Sequence, residues 1–177
     1  RIRRALDALP AGHHSMIGIA LMFLGLAEQI CGRMDLGVQA MVSHCNDPSA
    51  AYPRRIRAIT TPIFIHVIAG DLDNAALVIR QQQDLAEQGK DRQHRALGSY
   101  MQGMIHFHRH EFDAAIRWFA RSLEDGFRMM RRLFIDCMTG LAMAYQARGQ
   151  QESADAVLED LFQYCHDVDD VGGLALA

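Results

Sequence analysis

Three histidines alternate in "QGMIHFHRHEFDAAIRWF", residues 102–119, and Glu111 follows the last of them. Imidazole and carboxylate are common ligands of divalent metals, so the stretch is the first place to look for chemistry. On a helix His106 and His110 lie one turn apart and share a face, whereas His108 points elsewhere. That spacing supplies two ligands, and a third would come from His66 or from Glu111. Against a metal, His106 falls where a later unit has Tyr145, a packing position, and His110 falls where other units have a turn glycine. The expectation is a packing and turn role, with no metal, no cofactor and no catalytic residue.

The remaining candidates point the same way. Cys165 and His166 are adjacent and splay about a helix, so they make a poor thiolate–imidazole pair. Cys31, Cys45, Cys137 and Cys165 contain no CxxC pair, and they read as buried free thiols rather than a zinc ribbon or disulfide framework. "DVDD" from Asp167 lacks the ordered alternation and closing Glu of a calcium loop and reads as a solvated linker. "RRIR" from Arg54 and the Arg131–Arg132 pair read as exposed faces at helix ends.

These residues sit in a chain of 177 with a net charge of −3, 50% hydrophobic and 22% charged. That balance offers neither a basic nucleic-acid footprint nor the high charge of a disordered tail. No apolar run reaches the roughly eighteen residues of a membrane span, so a soluble, cytoplasmic protein without membrane contact is expected. Of the eighteen basic residues only Lys90 is lysine. The chain begins at Arg1 and stops at "GGLALA", which reads as the opening of an unfinished helix; a piece of a longer multidomain protein is expected.

The stretch has three companions: "LGLAEQICGRMDLGVQAM" from Leu24, "PIFIHVIAGDLDNAALVI" from Pro62 and "LAMAYQARGQQESADAVL" from Leu141. In each, a turn residue (Gly32, Gly70, His110, Gly149) is followed five positions later by a small one (Gly37, Ala75, Ala115, Ala154), at spacings of 38, 40 and 39. Such a period with a break in its middle means a helical hairpin. Glycine at the break ends a helix in the left-handed conformation at no steric cost, and the small residue lets the second helix approach the first. The pattern predicts helices over roughly 14–31, 33–45, 54–69, 71–88, 91–109, 111–125, 128–148 and 150–166, with helical fragments at both ends and no strand. "NDPSAAYP", residues 46–53, reads as a loop, and Pro62 predicts a kink that opens the inner groove.

Gly103, Phe112, Ala115, Phe119 and Leu123 fall at the spacings of a tetratricopeptide hairpin, as do Leu24 and Gly25. With its lengthened period the chain resembles the helical region of MalT-like regulators, ATP-dependent bacterial transcription factors that often end in a LuxR-type DNA-binding domain. "DCMTGLAMAYQARGQQESADAVLEDL", from Asp136 to Leu161, carries most of the likeness, which spans nearly the whole chain. The resemblance implies an all-α, right-handed superhelix of about four hairpins that receives an inducer or partner protein. Neither flanking module is present: "EQGK" ending at Lys90 has Asp84 where a phosphate loop needs its first glycine. Direct DNA or ATP binding by this chain is therefore not expected.

In such a superhelix the first helix of each hairpin lines the concave wall. From residues 91–109 come Leu97, Tyr100, Met101, Met104, Phe107 and His108. The preceding hairpin offers Arg57, Thr60, Thr61 and Phe64, and the following one Asp136, Thr139, Met143 and Gln146. An apolar wall with a few polar points suits a small molecule or peptide; six of the ten methionines (Met101, Met104, Met129, Met130, Met138, Met143) crowd the third and fourth hairpins, where flexible thioethers suit irregular core packing, the default, or an adaptable binding surface. Two functions follow: a sensory or relay region of a signal-responsive regulator that binds an effector or protein partner in its groove, or a passive interaction scaffold joined to a kinase or cyclase module. Uncapped ends would also allow a homo-oligomer.

Overall fold

A computed structural model describes residues 4, 8–10, 12–47, 49–124 and 131–168. Among them the chain is all-α: α1 His14–Ile30, α2 Met34–Cys45, α3 Tyr52–Ile68, α4 Leu72–Gln88, α5 Arg92–His108, α6 Phe112–Glu124, α7 Arg131–Ala147 and α8 Gln151–Asp167. These are four hairpins at the expected places. The terminal helix fragments, "GGLALA", the latter part of "DVDD", Met129, Met130 and the start expected at 128 lie outside the described residues. The chain divides into two compact units, Arg1–Lys90 and Asp91–Ala177.

Both units are built alike. In the first, α1 packs on α2 and α3, α2 on α3, and α3 on α4; in the second, α5 packs on α6 and α7, α6 on α7, and α7 on α8. The core of the first unit contains Ile17, Leu21 and Met41 at one end, and Cys45, Ile56, Ala58, Ile59, Leu85 and Ala86 at the other. In the second unit Phe134, Ile135, Met138, Leu161 and Cys165 form one cluster. Phe119 is fully buried. A Cβ at Gly103 of α5 would lie 2.6 Å from the Phe119 ring, and one at Gly140 of α7 would lie 2.8 Å from it. Two glycines thus make the notches that seat one phenylalanine.

α3 differs from its expected start because Tyr52 and Pro53 belong to it. Proline in a first helical turn forfeits no intrahelical bond and presets the backbone angle, and Ala51 ahead of it is extended. The helix continues through Pro62. Around it the Thr60 and Thr61 hydroxyls donate to Ile56 O at 2.7 Å and Arg57 O at 3.2 Å, which lets two polar side chains stay buried. Pro62 is itself buried, so the residue expected to open a groove is packed against protein.

Candidate functional site

The histidine stretch resolves into a turn. α5 ends at His108, and His110 lies beyond it with φ of 60°, in the same left-handed conformation as Gly32, Gly70 and Gly149 at 72–74°. His106 and His110 are therefore not on one helical face. At all four turns the same two backbone bonds close the helix end. The residue after the left-handed one donates to the carbonyl five positions back: Arg33 to Glu28, Asp71 to His66, Glu111 to His106 and Gln150 to Tyr145, at 2.8–3.0 Å. The left-handed residue itself donates three positions back, which completes a Schellman closure. The next helix begins with Gly37, Ala75, Ala115 and Ala154 donating to Arg33, Asp71, Glu111 and Gln150. All four small residues are buried, and a Cβ at Gly37 would come within 2.9 Å of Gly25 O.

Side chains reinforce three of these closures. Arg33 Nε meets Glu28 Oε2 at 2.5 Å, His66 Nδ1 meets Asp71 Oδ2 at 3.1 Å, and His106 Nδ1 meets Glu111 Oε2 at 2.5 Å. Asp71 and Asp91 also cap α4 and α5 by accepting from the Asn74 and His94 backbone amides. Hydrogen bonds from Asn74 lead the causes that hold the Asp71 carboxyl below its usual range. Among the described residues no three His, Cys, Asp or Glu side chains converge as a metal site would require.

The fourteen residues expected to line a groove divide between the units. In the first, Arg57 and Phe64 of α3 are half-buried, while Thr60, like its neighbour Thr61, is buried; the Arg57 stem lies against Gly18 of α1. In the second, Leu97, Tyr100 and Met101 fall within Ala96–Gly103, eight consecutive buried residues of α5. An enclosed segment of that length presents core rather than wall, and the Tyr100 ring packs at 6.0 Å from Phe119. Met104, Phe107, Asp136 and Thr139 are half-buried, and His108, Met143 and Gln146 are exposed.

The remaining candidates are accounted for by packing. Arg54 Nη2 approaches His44 Nδ1 at 2.5 Å, and Arg55 Nε donates to Cys45 O at 3.0 Å, so much of "RRIR" is tied to α2 instead of standing free. Burial, helped by Arg54, pushes the His44 imidazole down from its usual 6.5. Cys165 is buried and His166 exposed. Burial raises the Cys45 thiol and takes that of Cys137 up to about 12; the Cys137 thiol donates to Phe119 O. Cys31 corrects the expectation of buried thiols, because it caps α1 at the surface.

A cleft that the sequence pattern did not single out lies in the second unit. Leu123 of α6, Phe134 and Met138 of α7, and Asp160, Gln163, Tyr164 and Asp167 of α8 enclose about 420 Å3. Its floor is aromatic, with the Phe134 and Tyr164 rings 4.4 Å apart. Its polar side is a single helical stripe at 160, 163, 164 and 167, in which Gln163 Nε2 donates to Asp167 Oδ1 at 2.7 Å. That spacing was the available signal, but on sequence alone it looks like any solvated helix face. No helix among the described residues is long and apolar enough to cross a membrane. No family model matches the chain, and no curated protein matches it.

Proposed function

We propose that this chain is a sensory and relay region of a signal-responsive bacterial transcriptional regulator of the MalT-like kind, acting in the cytoplasm by binding an effector. The cleft between α6, α7 and α8 carries the reading. Its volume of about 420 Å3 falls in the range of small-molecule sites, and its lining sets Leu123, Phe134 and Met138 beside the polar groups of Asp160, Gln163, Tyr164 and Asp167. Among the described residues Asp160 and Asp167 line it and no basic residue does, so it suits a ligand with an apolar body and a cationic or hydrogen-bond-donating head. Phe134 and Met138 belong both to the cleft and to the core cluster with Leu161 and Cys165. A ligand seated there would bias how α7 packs on α8, which is what a relay needs.

Burial holds the Cys137 thiol protonated, far from the depressed pKa of a nucleophile, so this thiol is not a candidate for covalent catalysis. A net charge of −3 gives this region little attraction for nucleic acid.

Thermal unfolding of the chain with a panel of apolar amines, carboxylates and phosphates tests the proposal. An amine at a hundredfold excess over its dissociation constant should stabilise by about 2.7 kcal/mol. The double variant Asp160→Asn, Asp167→Asn should lose that gain while melting like the parent without ligand. Stabilisation by anions alone, untouched by the double variant, would sink the cleft as the site. The gene beyond both ends of this chain separates regulator from scaffold: a phosphate loop upstream with a helix-turn-helix downstream supports the regulator, and a kinase or cyclase module opposes it.

A further inference from the structure

The two carboxylates of the α6–α7–α8 cleft stand apart from each other. Asp160 and Asp167 both belong to α8. Seven residues are close to two whole turns, so they share one face of the helix, with their backbone positions roughly 10 Å apart along its axis. Between them the cleft is lined by Gln163 and Tyr164. The Tyr164 ring lies 4.4 Å from that of Phe134, and Met138 follows Phe134 one turn further along α7. The order along the cleft is thus carboxylate, largely apolar middle, carboxylate.

The two ends are held differently. Gln163 Nε2 donates to Asp167 Oδ1 at 2.7 Å, and His166 Nδ1 lies 3.9 Å from the same oxygen. Asp160 enters no hydrogen bond or ion pair among the described residues. Lysine and arginine are absent from α8 itself, Gln151–Asp167. Both carboxylates are exposed, so an incoming cation reaches either without first being stripped of all its water.

A single ammonium satisfies one end only. Two ammonium groups on one flexible chain satisfy both, and the methylenes between them cover the Tyr164, Phe134 and Met138 side chains. Once the first head is bound, the second is held close to its own carboxylate, and that raised effective concentration tightens the whole. A carboxylate or phosphate at either end of the ligand would instead set like charges against Asp160 or Asp167. We infer that the cleft takes a linear aliphatic amine with an ammonium at each end, laid along α8 between Asp160 and Asp167, a conclusion that rests on reading this cleft as an amine site.

Isothermal titration of the whole chain at fixed ionic strength, with diaminoheptane against heptylamine and diaminopropane against propylamine, tests the two-headed fit. Diaminoheptane is long enough to span the carboxylates and should bind roughly fivefold tighter than heptylamine. Diaminopropane is too short to reach both and should match propylamine. Asp160→Asn and Asp167→Asn should each bring diaminoheptane to within about twofold of heptylamine. Glu159→Gln removes the same charge at an exposed position outside the lining and should leave the fivefold difference in place. All three variants should keep the circular dichroism of the parent. Heptylamine binding as tightly as diaminoheptane overturns the two-headed ligand and leaves the amine site standing. An equal loss in Glu159→Gln assigns the preference to overall charge and overturns it too. Binding of none of the four amines overturns the amine site itself.

Discussion

His106 and Glu111 are joined twice: the Glu111 amide donates to the His106 carbonyl at 2.9 Å, and His106 Nδ1 lies 2.5 Å from Glu111 Oε2. The backbone bond recurs in every hairpin, and a polar side-chain pair recurs at Glu28–Arg33 and His66–Asp71. Schellman closures usually carry an apolar contact at these two positions; here the pair is polar. Both side chains are partly exposed, so the coupling should be modest. A double-mutant cycle with His106→Ala and Glu111→Ala should give about 0.2–1 kcal/mol. A coupling above that range would show that the pair is buried more deeply than the geometry has it.

Gly103 and Phe119 make the tightest test of packing. Gly103→Ala places a methyl inside the Phe119 ring's contact distance and should cost about 1–3 kcal/mol by overpacking. Phe119→Ala empties a fully buried site and should cost about 3–5 kcal/mol. Gly103→Ala combined with Phe119→Leu should be less destabilised than the sum of its singles. Additive losses in denaturant unfolding would contradict the contact.

The left-handed turn at His110 costs energy that glycine avoids. His110→Gly should raise stability by about 0.5–1 kcal/mol, offset in part by loss of the ring contact with Phe112. Gly149→Val should lower it by more than 1 kcal/mol, because a β-branched residue at positive φ is a severe outlier. Equal melting of Gly149→Val and the parent would show that the turn is misplaced.

Much of this was legible in the sequence, and for a physical reason. A left-handed residue all but demands glycine, so Gly32, Gly70 and Gly149 announce the turns, and register alone then finds His110. Lys90, also left-handed with φ of 51°, gives no such sign, because nothing in its residue type marks it. Periodicity placed the hairpins but misjudged how much of α5 is enclosed, so Leu97, Tyr100 and Met101 were expected on an open wall. The α6–α7–α8 cleft escaped because its shape depends on how three helices meet, and no one helix encodes that.

His44 should make acid stability depend on pH near neutrality. Its folded value is pushed below the usual 6.5, first by burial and then by Arg54, with Asp47 opposing. The unfolded chain therefore binds the proton more readily. The contribution is fully present above pH 6.5 and is lost as pH falls through 6.5 towards the depressed folded value. Melting temperatures of the parent should fall across that window more steeply than those of His44→Gln; parallel curves would count against the half-buried neutral imidazole.

Removing the aspartate caps tests the helix starts. Asp71→Ala and Asp91→Ala should each cost about 1 kcal/mol, and Asp71→Asn much less, because asparagine caps nearly as well. Urea unfolding midpoints measure the differences, and an asparagine variant as weak as the alanine one would assign the effect to charge instead of the cap.

Phe119 seated between Gly103 of one helix and Gly140 of another also has an evolutionary reading. Three positions far apart in the chain share a single volume, so none can drift alone. Lineages that gain a side chain at 103 or 140 should carry a smaller residue than phenylalanine at 119. The triplet should covary as one character, marking descent of this packing even where the turn glycines have been lost.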